Sequence, residues 1–326
     1  MYINKLVSIV LLCYKNAEFI DEAIESILNQ TYQNFEVIIA DDASNDGSEE
    51  IISKWVKKDN RIIPLIQPVN IGMSGNQNAG FNKVRGEFIV PMSGDDILLP
   101  NKLEKQVIYL QEHPECGLVL SKTQAFDSDT KEILWEMTPC QSPEEWFFRT
   151  DWFFAFPQWY GSHNNTTTMG RSSYYLQCRY DTRLKYKGEV LHAMENYAKS
   201  PNVKWHGMNE VLSKYRIHNQ SATHTNSLTD LINEESWIIH GIINVRYPQL
   251  HRKAKNSLQF RLFNQYIFDH KQKNSLNCLY RELGIYKFIY ALLIKGLTRL
   301  NLRGIISKPA RYLRTKQLYK KYEHIR

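Results

Sequence analysis

The sequence predicts an α/β protein built on a parallel sheet with helices on both faces. Three observations carry that reading. Strand and helix patterns alternate over the first hundred residues, the strand candidates are continuous apolar runs, and each run ends in a cluster of polar residues. A sheet covered on both faces needs continuous apolar strands, whereas a half-exposed sheet alternates with period two. A βαβα order then joins parallel strands through crossover helices.

The first strand is residues 7–12, within an apolar run over 6–12 interrupted only by Ser8. That run is too short for a signal-peptide core with a cleavage site. Residues 17–30 form the first helix, because Phe19, Ile20, Ala23, Ile24, Ile27 and Leu28 share one face. Residues 35–40 (FEVIIA) are the second strand, ending at Asp41 and Asp42. Residues 49–58 repeat the helical period, 62–66 are the third strand, 75–84 the third helix and 88–92 the fourth strand. Residues 226–283 show mixed helical spacing and predict a helical appendage, which continues into a basic tail. The expected organisation is a domain over 1–225, with halves 1–110 and 111–225, followed by a helical region over 226–326.

Composition excludes several classes. The chain has 326 residues, 43% hydrophobic and 23% charged, an ordinary globular balance. Its five cysteines are scattered and lack ligand spacing, which argues against a disulfide framework or a zinc site and for a reducing, cytoplasmic setting. The net charge of +7 is uneven: residues 284–326 hold eleven Lys/Arg and one acid, Glu323, hence +10 against −3 for the rest. No nucleic-acid motif accompanies this charge. The longest apolar run of the tail, 288–294, is far short of the ~18 residues that a spanning helix needs. Basic residues spaced among apolar ones suit a helix lying on an anionic membrane surface, as a peripheral protein of the inner face would; a helix packed on its own protein with a solvated basic face is the other reading.

In open α/β sheets ligands bind beyond the carboxyl ends of the strands. Four polar loops meet there: Tyr14-Lys15-Asn16, Asp41 to Ser48, Asn70-Ile71-Gly72, and Ser93-Gly94-Asp95-Asp96. Neither GxGxxG nor GxxxxGK[ST] occurs among them, which removes the usual dinucleotide and P-loop readings. Two adjacent carboxylates repel unless a cation lies between them and a ligand, and Mg²⁺ or Mn²⁺ is commonly held by one or two carboxylates plus substrate phosphates. Asp95 and Asp96 therefore read as a metal and diphosphate clamp. A helix N-cap with dipole compensation is the alternative for that pair, and an Asx-rich turn for Asp41 and Asp42.

The joint pattern is more specific. VSIVLLCYKN, IIADDASNDGS, NIGMSGNQNAG and GEFIVPMSGDDILLP, in this order and spacing, resemble glycosyltransferase family 2, whose nucleotide-binding half has the GT-A fold. The match is strong over residues 5–110 and continues to about residue 224, where SKYRIHNQSAT resembles the family's closing Tyr-Arg-x-His segment. The resemblance implies that Tyr14 and Asp41 hold the nucleobase and Asp42 the ribose side, with Asn70, Gly72, Asn76 and Asn78 as loop contacts. It implies that Asp95 and Asp96 match the DxD-type motif, binding Mn²⁺ or Mg²⁺ and through it the diphosphate, and that His218 closes over them with Arg216 assisting or bracing the sheet. Ser93 stands where many members carry the first Asp, and Gln77 where an Arg is frequent.

The resemblance also implies a general base near the start of a helix in the second half. Glu189 in YDTRLKYKGEVLHAMENYAK is the candidate, with Glu195 close by; a first-turn Glu favoured by the helix dipole is the alternative. Residues 144–168 are dense in aromatics and suit an acceptor wall or a membrane-facing loop as well as a core, with Trp159, His163 and Asn164 placed to meet a sugar. The expected function is a metal-dependent, inverting transfer from a nucleotide diphosphate sugar, UDP-linked by preference, to a glycan or lipid-linked glycan in surface polysaccharide assembly. A nucleotidyltransferase would need a Gly-rich basic N-terminal loop that LLCYKNAEF lacks. A non-catalytic carbohydrate-binding or scaffold protein on a degenerate fold is the other alternative.

Overall fold

The computed structural model describes residues 4–142, 165–185, 187–220, 234, 236–252 and 255. Strands β1 (Val7–Cys13), β2 (Phe35–Asp41), β3 (Ile62–Ile66) and β4 (Phe88–Ser93) run parallel in the order β3-β2-β1-β4. Every residue of β2 is buried, whereas β3, at the edge, alternates and accommodates Pro64. Helices cover both faces. Ile9 and Leu11 share a core with Ile20, Ile24 and Ile27 of α1 (Ile20–Leu28) and with Ile52 of α2 (Ser48–Lys58). On the other face Val10 meets α3 (Gly72–Phe81) at Gly80, where any Cβ would lie 2.5 Å from Val10 Cγ1. The expected α/β class and helices on both faces are thus observed.

The sheet then becomes mixed. After β4 come β5 (Ile97–Leu98), α4 (Lys102–Glu112), β6 (Cys116–Asp127) and β7 (Ile133–Met137). A 3₁₀ turn (Asn165–Thr167), β8 (Thr168–Arg171), α5 (Ser172–Tyr175), α6 (Gly188–Lys199) and β9 (Lys204–Ile217) follow. The strand order is β3-β2-β1-β4-β8-β6-β9-β5, with β7 paired to β6. β8 is antiparallel to both β4 and β6 and forms the seam between the two halves. β5 is antiparallel to β9, with Ile97 opposite Lys214, so the carboxyl end of β9 returns to the turn that follows β4. At the opposite end of the sheet Glu36 is buried and accepts from Ser8 Oγ (2.6 Å), Arg85 N (3.0 Å) and Arg85 Nε (2.7 Å), which ties β1, β2 and the entry to β4 together.

Two helices differ from the periodicity. α1 starts at Ile20, because residues 17–19 form a turn in which the Phe19 and Ile20 amides both donate to Asn16 O. α3 starts at Gly72, because Asp42 Oδ1 accepts from Ile71 N (2.7 Å) and Asn70 Oδ1 from Gly72 N (3.2 Å), satisfying donors that a helix start leaves open.

Contacts divide the chain into two compact units, Met1–Phe147 with Tyr160–Asn226, and Phe148–Trp159 with Ser227–Arg326. In the second unit Ile238, Ile239, Ile242 and Ile243 are buried on a π-helical turn (Ile238–Ile243) that continues into Asn244–Arg246. No helix among the described residues is long and apolar enough to cross a membrane. The basic tail, 284–326, lies outside the described residues.

Candidate active site

The four loops do converge at the carboxyl ends of β1 to β4. The loop after β1 leaves Tyr14 47% exposed, with Lys15 Nζ 5.4 Å from its ring centroid. The loop after β2 is held from inside. Asp41 is fully buried; it accepts from Ser44 Oγ and from Ser44 N (3.0 Å), and Ser44 Oγ in turn accepts from Lys15 N (2.9 Å). Asp42 is also buried and bonds the Ile71 amide, while Asn70 Nδ2 donates to Asp42 O (3.3 Å). Lys15, Ala43 and Asn45 all have positive φ near 50–56°. Such conformations cost energy in non-glycine residues and cluster at functional sites, and here they cluster where the loops after β1 and β2 meet. Burial beside Asp41 pushes the Cys13 thiol up to about 12, which keeps it neutral beneath the rim.

The polar residues of α3 face elsewhere. Asn76 Nδ2 donates to Ala40 O (2.6 Å), and its Oδ1 accepts from Gln67 Nε2 (3.3 Å). Asn78 brackets the backbone of Tyr180, donating to its O (2.8 Å) and accepting from its N (2.9 Å). Both amides brace the sheet and the second half, which corrects the expectation that they touch a nucleotide. Asn70 is exposed and Gly72 half-buried at the rim. Gln77 is fully buried, and neither of its amide atoms has a hydrogen-bond partner.

After β4, Ser93 to Asp96 form a tight turn, closed by Asp96 N donating to Ser93 O (3.2 Å). Its second residue has to be glycine: a Cβ on Gly94 would lie 2.7 Å from Leu12 O and 2.9 Å from Asn16 Nδ2. The two carboxylates diverge. Asp96 is fully buried, and its Oδ1 accepts from Arg216 N (3.1 Å) and its Oδ2 from Thr166 Oγ1. Asp95 points to the rim, where its Oδ2 lies 3.1 Å from His218 Nε2 and its Oδ1 has no hydrogen-bond partner. The His218 ring packs on Phe19 with centroids 4.6 Å apart. Asp96 therefore anchors the turn from within, in place of the expected direct metal contact.

No group of three or more His, Cys, Asp or Glu side chains placed to hold a metal ion occurs among the described residues. A divalent cation here would depend on Asp95, His218 and oxygens of a ligand or water. The donor set fits a hard cation that keeps most of its shell from phosphate and water, and the orphaned Asp95 Oδ1 is the atom that needs such a partner.

Glu189 sits in the first turn of α6. The preceding Gly188 packs directly on α3, since a Cβ there would lie 2.5 Å from Ser74 Oγ, and Ser74 Oγ donates to Leu184 O (3.0 Å). This sets the start of α6 against α3. The negative charge of Glu189 helps push Tyr175 and Tyr180 upward, behind the larger effect of burial. Glu195, further along α6, is buried. Arg216, expected to assist His218 or brace the sheet, is inside the protein, 1% exposed. Trp159, His163 and Asn164 lie outside the described residues.

Sequence reasoning missed Thr166, Asn16, Phe19 and Glu22 as supports of this site. Asn16 in the orientation that satisfies its amide donates to Tyr14 O (2.7 Å) and accepts from Asp95 N (3.2 Å). Phe19 carried only a helical-face signal, and nothing in the pattern around Thr166 marks it as the partner of a residue seventy positions earlier.

The family model described as Glycosyl transferase family 2 matches residues 8–174. An uncharacterized glycosyltransferase, MJ1057, of Methanocaldococcus jannaschii is 32% identical over 217 residues, covering 66% of this chain and 72% of that one. Glycosyltransferase GlyG of Streptococcus pneumoniae is 37% identical over 109 residues, 33% of this chain and 36% of its own length. Among solved structures, S. aureus TarS 1-349 in complex with UDP-GlcNAc superposes with a TM-score of 0.64 at 18% identity, over 87% of this chain and 81% of that one. Mannosyltransferase PcManGT from Pyrobaculum calidifontis, in complex with GDP-Man and Mn²⁺, gives 0.57 at 15%, over 97% and 84%. At these identities the structural likeness is one of fold.

Proposed function

Since the chain belongs to glycosyltransferase family 2 and is a glycosyltransferase, we propose that it moves a sugar from a nucleoside diphosphate sugar, with UDP as the carrier, to a hydroxyl of a glycan or lipid-linked glycan with inversion. The observation that carries this reading is the buried, orphaned Oδ1 of Asp95, whose carboxylate meets His218 and whose amide is joined through Asn16 to the backbone of the half-exposed Tyr14. Tyr14 offers a ring face to the base, and the braced loop of Asp41 and Asp42 shapes the ribose side. Asp95 and His218 hold Mn²⁺ or Mg²⁺, with Asp96 fixing the turn. When bound, that cation neutralises the diphosphate and stabilises the leaving oxygen. Glu189 takes the acceptor hydroxyl proton while the new bond to the anomeric carbon forms and the sugar–phosphate bond breaks. Holding donor and acceptor in one orientation supplies the entropic share of the acceleration.

The relatives named glycosyltransferases support the chemistry, and TarS with UDP-GlcNAc supports a fold able to house such a donor. We assign the role to surface polysaccharide assembly on the cytoplasmic face, with residues 284–326 resting on anionic lipid by charge. The test is isothermal titration of UDP, GDP and their sugar conjugates with Mn²⁺ and with EDTA. Metal-enhanced binding of one diphosphate supports the reading. No binding of any nucleotide sinks it and favours a degenerate carbohydrate-binding scaffold.

A further inference from the structure

Arg216 presents an energetic problem. A guanidinium cannot shed its proton, and burying it is costly unless every partner is in place; such groups are often replaceable by apolar residues with no loss of stability. Arg216 is 1% exposed, while its carboxylate partner Glu22, on α1, is 52% exposed, so the pair is not a sealed ion pair of the core. Its planar cation lies between two rings, 4.8 Å from the Phe19 centroid and 4.7 Å from the Phe126 centroid. Two of its donors have fixed targets: Nε donates to Asp95 O (2.7 Å) and Nη2 to Glu22 Oε2. Its own backbone N–H donates to Asp96 Oδ1.

Apart from the Glu22 pair, the hydrogen bonds meet at one dipeptide. The Asp95 amide is held by Asn16, its carbonyl by Arg216, and the following carboxylate by the Arg216 amide and Thr166. The peptide between Asp95 and Asp96 therefore has little freedom to rotate, and the Asp95 carboxylate keeps one aim, toward His218. Phe19 contacts both Arg216 and His218, the imidazole tilted 53° to its ring, so one ring borders the guanidinium and the imidazole.

We propose that Arg216 is a positioning residue that locks the Asp95–Asp96 turn, with Glu22 as its external counter-ion, so that a surface carboxylate on α1 tunes the affinity of the site for metal-bound diphosphate. The inference rests on the reading above that Asp95 faces the donor diphosphate. A Lys at 216 keeps the charge but has neither the fork nor the plane that reaches Asp95 O and Glu22 together between two rings.

The experiment compares wild type, Arg216→Lys and Glu22→Gln in titrations with UDP, each in Mn²⁺ and in EDTA, with circular dichroism and thermal unfolding to verify folding. The informative quantity is the ratio of UDP affinity with Mn²⁺ to that with EDTA. The expected result is a ratio at least tenfold lower in Arg216→Lys and about threefold lower in Glu22→Gln, with little change in EDTA. A merely structural defect would weaken both conditions alike and would overturn the proposal, as would ratios equal to wild type in both variants. Should Arg216→Lys fail to fold, Glu22→Gln decides alone, since its side chain is half exposed. A wild type with no metal response is a separate outcome that overturns the donor-site reading itself.

Discussion

Two Asp-Asp pairs stand at the same rim of the same sheet, Asp41-Asp42 after β2 and Asp95-Asp96 after β4, and the fold puts them to different uses. In the first pair both carboxylates face inward: Asp41 folds its own loop around Ser44, and Asp42 caps the entry to α3. In the second pair only Asp96 faces inward, and Asp95 keeps an oxygen without a partner. The difference follows from what lies beyond each strand. After β2 the next element is a parallel helix–strand unit that needs its backbone donors satisfied. After β4 the returning end of β9 supplies Arg216 and His218, which take one carboxylate each. The same dipeptide is thus scaffold in one place and, on the proposed reading, ligand face in the other.

The comparison can be broken most severely at Asp95. Asp95→Asn removes the charge at the rim and no inward contact, so we expect transfer to fall on the order of a thousandfold with unfolding unchanged; steady-state kinetics and a melting curve check this. Glu189→Gln comes next, with a loss on the order of a hundredfold in transfer and unaltered UDP affinity. Near-normal turnover would move the base to a neighbour. Asp96→Ala should act on stability as well, because the Arg216 amide and the Thr166 hydroxyl both lose an acceptor; about 2–4 kcal/mol is expected from denaturant titration. Asp41→Ala frees two donors of a single residue, Ser44, at the edge of a loop, and should cost about 1–2 kcal/mol.

A further effect, dependent on pH, lies behind Asp96. Lys102 is fully buried, donates to Gln106 and reaches toward the carbonyls of Thr167 and Thr168 (3.4 and 3.5 Å), next to the Thr166 that holds Asp96. Burial pushes its amine down from 10.5 to about 7. Below pH 7 folded and unfolded chains are both protonated there and the full burial penalty applies. Between pH 7 and 10.5 the unfolded chain binds more protons, so stability rises with pH. Unfolding at pH 7 and pH 9 should show a gain on the order of 2 kcal/mol in wild type that Lys102→Met lacks. Equal slopes would mean that Lys102 keeps its proton throughout.

Much of this was legible in the residues, and the exceptions have physical causes. β1 and β2 announce themselves because strands covered on both faces are apolar throughout. The start of α3 does not, because one of its first donors is capped by Asp42 from another loop and only the next by the local Asn70. β5 has two residues, too few for any period, yet it is the element that brings β9 to the site. The rim itself could be read from polar loops following strands, while the direction of each side chain could not. Asn76 and Asn78 look like ligand contacts in a polar helix and instead bond Ala40 and Tyr180. Asp95 and Asp96 are indistinguishable in sequence, and only the register of β9 separates them.

The most direct test of the whole account is UDP titration of Asp95→Asn beside wild type and Asp41→Asn, each with Mn²⁺ and with EDTA. The account predicts a metal response in wild type and in Asp41→Asn, and none in Asp95→Asn. An Asp95→Asn protein that still binds UDP more tightly with Mn²⁺, as wild type does, would contradict it.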